Sequence, residues 1–234
     1  MKFGILCAME EELHTLLINL ENKCEKKVGD ITFYLGTINN VNVVLTQSGI
    51  GKVSAGLSTG LLISLFKVDV VINSGSAAGI GGSLKIGDVV ISNKTAYWDV
   101  DATAAGYRVG QLPQEKLFFK ASNEWIDRIE ASLSINKIPY HVGLIVSGDS
   151  FVSSKKMINT IKNNFPDALS CEMEGAAVGQ VATKFNVPYL VIRAISDNGD
   201  ESANDNFDQF IVDAGRKSAQ VLLDLISNCT FKEK

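Results

Sequence analysis

Carboxylates are the reactive groups that this sequence offers. Three are consecutive at Glu10-Glu11-Glu12, directly after a short apolar run, and two more stand at Glu172 and Glu174. Another, Asp197, ends the apolar stretch Tyr189–Ile195, in the order Arg193-Ala194-Ile195-Ser196-Asp197. Histidine is scarce, with only His14 and His141, far apart, and the four cysteines Cys7, Cys24, Cys171 and Cys229 include no C-x-x-C pair. No Cys/His set at zinc spacing results, so no metal is expected. Carboxylates alone suit cleavage of a glycosidic bond through an oxocarbenium-like transition state. One acid protonates the leaving group and one base activates water. Residue types alone do not say which carboxylates act. An acidic helix start is favoured by the helix dipole in any case, and a structural ion pair such as Glu174 with Arg193 is the alternative account of the later cluster. Relative to the stripe Leu13, Leu16, Leu17 and Leu20, Glu11 falls opposite while Glu10 and Glu12 both fall on the flanks, so helical phase does not choose among them.

Two small-residue segments could bring backbone close to a ligand. In Ser48-Gly49-Ile50-Gly51-Lys52, between a strand and a helix, glycines let N–H groups approach an oxygen-rich molecule. The segment does not meet the Walker A pattern, and a tight strand-to-helix turn explains it equally. Asn73-Ser74-Gly75-Ser76-Ala77-Ala78-Gly79 reads as a loop closing a buried strand, open to a ligand or simply flexible.

The elements that must position these groups are those of an α/β protein. Phe3–Cys7, Val68–Ile72, Asp88–Ser92, Gly143–Ser147 and Tyr189–Ile195 are apolar without alternation, as strands covered on both faces are. Ile31–Ile38 and Val41–Gln47, joined by Asn39-Asn40, predict a hairpin. Helical spacing runs through Leu13–Leu20 and again from Phe207 to Leu225, with Asn206 and Gln209 as a capping box, and Met173–Phe185 suits a buried helix. The expectation is one domain, residues 1–234, with helices on both faces of a mixed sheet and ligands at the carboxyl ends of its strands. Hydrophobic residues make up 46% and charged ones 21%, which excludes disorder. The net charge of −4, without basic clusters, argues against a nucleic-acid partner. No apolar run approaches a membrane span and no signal peptide is evident, so a soluble cytoplasmic protein with reduced thiols is expected.

Taken in order, Ala8-Met9-Glu10-Glu11-Glu12, Ser48-Gly49-Ile50-Gly51-Lys52, Asn73-Ser74-Gly75-Ser76-Ala77, Gly110-Gln111-Leu112-Pro113, Val146-Ser147-Gly148-Asp149, Glu172-Met173-Glu174 and Arg193-Ala194-Ile195-Ser196-Asp197 form a specific set. The chain closely resembles the bacterial 5′-methylthioadenosine/S-adenosylhomocysteine nucleosidases of the purine nucleoside phosphorylase superfamily, over essentially its whole length. The resemblance implies a three-layer α/β/α homodimer that needs no cofactor or metal. Its reaction would be hydrolysis of the adenine–ribose bond of such adenine nucleosides, including 5′-deoxyadenosine, in methionine salvage.

By the same resemblance, Glu12 is the general base that activates water, and Asp197 is the general acid toward N7 of adenine, oriented by Ser196. Glu174 grips the ribose hydroxyls, above Met173, with Glu172 beside them. Ser76 and Arg193 help hold water and ribose, and Ala77 and Gly79 belong to the binding segment. Phe151 stacks on adenine while the backbone of Val152 reads its edge. Met9, Ile50 and Phe207 line the ribose and 5′-thio region, and Ala102, Ala105 and Pro113 come from the partner subunit. The family often has a bulky aromatic where this chain has Ala105, which bears on the fit of the 5′ substituent. A phosphorylase of the same superfamily would want clustered basic residues for phosphate, and Lys52 is the only one in the two small-residue segments. A futalosine-type nucleosidase would share the adenine and ribose contacts. A non-catalytic adenosine sensor would have no need of Glu12 and Asp197 together.

Overall fold

In the computed structural model, residues 1–82 and 84–229 are described; residue 83 and residues 230–234 of the expected domain lie outside them. Strand β1 (Lys2–Cys7) is the hub of the first half of the sheet. It runs parallel to β4 (Val41–Gln47) on one side and to β5 (Val70–Gly79) on the other. The hairpin forms as the sequence predicts. β3 (Ile31–Ile38) pairs with β4 so that Ile38 faces Val41, and the intervening Asn39 and Asn40 both have positive φ, 50° and 63°, as a primed two-residue turn requires. Outside it lies β2 (Glu21–Val28), antiparallel to β3. Its sequence ENKCEKKV is exposed along nearly its whole length, so no apolar pattern marks it, and its charges suit an unpaired sheet edge.

The second half curls. β5 pairs with β10 (Tyr189–Asp197), which is antiparallel to β6 (Val89–Tyr97). β6 is parallel to β8 (Tyr140–Ser147), β8 to β9 (Ala168–Glu172), and β9 returns antiparallel to the end of β5. These five strands therefore close on one another, and the short β7 (Phe119–Lys120) hangs on β6. Among the described residues, six α-helices accompany the sheet. Helices α1 (Glu10–Ile18), α3 (Asn123–Ile135) and α6 (Ala203–Cys229) pack together, while α2 (Lys52–Ser64) packs on α5 (Gly175–Lys184). α4 (Lys155–Asn164) covers the closed strands through Ile161. The mixed α/β sandwich expected from the sequence is the fold observed.

Two expectations are corrected. Asn73–Gly79 is not a loop but the continuation of β5, with Gly75 opposite Arg193 and Ser76 opposite Ala194. Gly75 must be small because a neighbour is pressed against it: a Cβ there would lie 2.6 Å from Glu12 Oε1. The long helix does not start at an Asn206 cap. It begins at Ala203, because Asp200 Oδ1 accepts Ser202 N–H (3.0 Å) and Oγ–H (2.6 Å), forming a turn that starts the helix earlier. Asn206 is left inside the helix, donating from Nδ2 to Ser202 Oγ at 2.9 Å. Of the cysteines, Cys7 and Cys171 are buried, whereas Cys24 is exposed on β2.

Candidate active site

The carboxyl ends of β1, β5, β9 and β10 meet at a cavity of about 320 Å³. This is the position that open α/β sheets use for ligands. Two residues, Ala8 and Met9, link β1 to helix α1 beside the cavity. Glu12 reaches back to them: Oε2 accepts Ala8 N–H (3.0 Å) and Met9 N–H (3.2 Å). Its other oxygen, Oε1, accepts both Ser76 N–H and Ser76 Oγ–H, each at 2.9 Å. Glu12 is buried, whereas Glu10 and Glu11 are exposed. The choice that helical phase left open is thus made by β5, whose Ser76 meets only one of the three.

Asp197 is the last residue of β10 and is buried. Burial raises its pKa above the ordinary aspartate value, against the opposing pull of hydrogen bonds from Ser196 and Gly199. Ser196 Oγ–H donates to Oδ2 and Gly199 N–H to Oδ1, both at 2.8 Å. The side chain is therefore fixed in direction and disposed to keep its proton.

The third group is a carboxylate cluster around Arg193, a fully buried guanidinium in the middle of β10. Arg193 Nη2 donates to Glu172 Oε2 and to Asn73 Oδ1, while Glu174 Oε2 stands 3.6 Å away. The ion pair that competes with a functional reading therefore forms chiefly with Glu172. Glu174 Oε1 accepts Gly51 N–H at 2.8 Å. Burial, then the neighbouring Glu172 charge, pushes Glu174 up to about 8, against the pull of Arg193 and the Gly51 N–H. The glycine segment before α2 thus serves protein carboxylates, since the next N–H, of Lys52, goes to Asp149 Oδ1 at 2.8 Å. Gly51 sits there at φ 98°, a conformation that disfavours any side chain. Lys52 Nζ is itself paired, 2.7 Å from Asp99 and 3.5 Å from Asp149.

Met9, Ile50, Ala77, Val152 and Met173 supply an apolar lining, and Phe151 meets Phe207 edge-to-face at 5.5 Å. Phe151 remains 41% exposed. The structure also brings Ala8, Ala78, Ser150 and Cys171 to the cavity, roles the sequence reading did not assign. Adjacency to Met9, Ala77, Phe151 and Glu172 was the signal available for them. Gly79 does not line the cavity; it pairs with Ser170, and a Cβ there would press on Ile195 at 3.1 Å. Ala102, Ala105 and Pro113 also lie outside it, in the irregular segment between β6 and β7, and Ala105 and Pro113 are exposed. Among the described residues, no three His, Cys, Asp or Glu side chains gather to hold a metal ion.

Comparison with known proteins identifies the family. The family model of the phosphorylase superfamily matches residues 2–227. The 5′-methylthioadenosine/S-adenosylhomocysteine nucleosidase of Staphylococcus carnosus is 42% identical over 225 residues, 96% of this chain and 99% of that one. The solved structure of the nucleosidase of the same name from S. pneumoniae, with the transition-state inhibitor MT-ImmA, is 48% identical with a TM-score of 0.94, covering 97% of this chain and 99% of the other. The futalosine hydrolase of Helicobacter pylori strain 26695 also has a TM-score of 0.94, at 35% identity and 97% coverage of each chain. A family match over nearly the whole chain, with relatives of 42–48% identity that carry the nucleosidase name, places the protein: it belongs to the phosphorylase superfamily and, within it, to the 5′-methylthioadenosine/S-adenosylhomocysteine nucleosidase family.

Proposed function

We propose that this protein is an N-glycosidase that hydrolyses the adenine–ribose bond of 5′-methylthioadenosine and S-adenosylhomocysteine. The products are adenine and either 5-methylthioribose or S-ribosylhomocysteine. The observation that carries the reading is that one cavity holds two buried carboxyl groups, each fixed by hydrogen bonds. Glu12 accepts four hydrogen bonds, and Asp197 is raised by burial. In this reaction the C1′–N9 bond breaks with its electron pair going to adenine, and Asp197 passes its proton to N7 of the leaving base. A water oxygen bonds to C1′ and gives its proton to Glu12. Glu174 receives the ribose hydroxyls, and the Phe151–Phe207 pair covers the base and sugar.

Water rather than phosphate is the nucleophile because the donors that would hold a second anion are occupied. Glu12 fills the group of N–H and O–H donors from Ala8, Met9 and Ser76, and Lys52 is neutralised by Asp99 and Asp149. Release of adenine from 5′-methylthioadenosine should therefore proceed in phosphate-free buffer and be unchanged by added phosphate. A rate that scales with phosphate would overturn the hydrolytic reading, and release from futalosine alone would reassign the substrate.

The working unit is a cytoplasmic homodimer. Ile50, at the cavity just before α2, and Val53 and Leu57, one turn apart on α2, are 55%, 82% and 54% exposed, an apolar patch that favours being covered. Ala102, Ala105 and Pro113, outside their own chain's cavity, would complete the neighbour's, and a twofold contact forms both sites at once. Sedimentation at assay concentration should show a dimer. A fully active monomer would refute the shared pocket.

A further inference from the structure

Glu172 lines the cavity, and both oxygens of its carboxylate are bonded to groups of the protein. Oε2 accepts the Glu174 N–H at 3.0 Å, and the Gly175 N–H is shared between Oε1 (3.0 Å) and Oε2 (2.8 Å). Ser147 Oγ–H donates to Oε1 and Arg193 Nη2 to Oε2. The side chain is 3% exposed. Ser147 is opposite Glu172 in the β8–β9 pairing and also accepts the Ala176 N–H at 2.7 Å. One carboxylate thus joins the end of β8, the start of α5 and the buried charge of β10.

Glu174, two residues on, is placed differently. Its Oε1 takes the Gly51 N–H, but Oε2 has only Arg193 near it, at 3.6 Å, beyond a hydrogen bond. A buried guanidinium must have a counter-charge. Arg193 finds it in Glu172, and Asn73 takes another of its protons. The charged groups facing Glu174 are Glu172 from β9, Arg193 from β10 and Glu12 from α1, with the Gly51 N–H on the side of α2. Three carboxylates share one arginine, so what the arginine binds decides what is free for a ligand.

We infer that Glu172 is a positioning residue that holds Arg193 and the amides of α5, and so keeps one oxygen of Glu174 available to the sugar hydroxyls. This rests on the proposed nucleosidase reading. Without the Glu172 charge, Arg193 would close on Glu174 Oε2, and the site would lose its ability to tell a ribose from a deoxyribose.

The test is the ratio of kcat/KM for 5′-methylthioadenosine over its 2′-deoxy counterpart, in the full-length wild type and in Glu172→Gln, Glu172→Asp and Glu174→Gln. Comparing ratios between variants removes the intrinsic difference in reactivity of the two nucleosides. Glu172→Gln should lower the ratio at least about tenfold, toward that of Glu174→Gln, the scale of one charge-assisted hydrogen bond. Glu172→Asp keeps the charge but is one methylene too short to reach all its partners, so its ratio should fall between wild type and Glu172→Gln. A folded Glu172→Gln or Glu172→Asp that keeps the wild-type ratio overturns the inference, even if both rates drop together as in a merely structural role. A wild type that releases adenine from neither nucleoside overturns the nucleosidase reading instead.

Discussion

Glu12→Gln should lose about 10²–10⁴-fold in turnover while still binding the nucleoside, the usual cost of removing a general base. The substitution preserves shape, so the loss comes from two electronic changes. Glutamine has no basic oxygen for the proton that leaves water, and it replaces one acceptor with an NH₂ group. Glu12 accepts from Ala8 and Met9 N–H on one oxygen and from Ser76 N–H and O–H on the other. Whichever way the amide turns, its NH₂ faces backbone N–H donors. A buried donor left without a partner costs about 1–3 kcal/mol, so the variant should also melt at lower temperature than wild type. Single-turnover adenine release and a binding titration separate the two effects. Turnover within a few-fold of wild type would remove Glu12 from the proposed chemistry.

Asp197→Asn should lose turnover on the same scale but gain stability, because the leaving adenine then has no acid to protonate it. Its environment accommodates an amide. Asn Oδ1 can accept the Gly199 N–H, and its NH₂ can donate to Ser196 Oγ, whose own hydrogen can turn to Ala77 O, now 3.4 Å away. The stability effect has a defined sign. Asp197 is raised above 3.8 when folded, so between that value and its folded pKa the native protein holds a proton that the unfolded chain has lost. Stability then falls as pH rises through this window, and asparagine removes the fall. Thermal melts of wild type and variant should diverge in favour of the variant as pH rises above about 4, since the ordinary aspartate value lies near 3.9. A wild type that is equally stable relative to the variant at both ends would show that Asp197 does not keep its proton.

Local chemistry was legible where it is decided locally. β1 and β10 read as covered strands because their residues are mostly apolar without alternation, and the Asn39-Asn40 hairpin read correctly because positive φ at two successive positions is tolerated by those residues. The carboxylates stood out because an acid at the end of a buried strand has few structural reasons to be there. β2 was invisible for the opposite reason. An exposed edge strand needs no apolar period, so its charges resemble a loop. Asn73–Gly79 looked like a loop because small polar residues commonly make one. In β5 Gly75 and Ser76 answer to Glu12, which packs against them from more than 60 residues away.

The order of acidic, glycine-rich and strand-end motifs determined the family, the fold class and the pair of acids expected to act. Sequence could not select Glu12 over Glu10 by phase, nor say that Arg193 pairs with Glu172 before Glu174. Nor could it show that the glycine turn before α2 holds protein carboxylates rather than a ligand's oxygens. Each of those outcomes depends on which distant group arrives to satisfy a buried donor or charge. A buried polar group is costly until it is paired, and its partner here comes from another strand, so only the closed sheet decides the match.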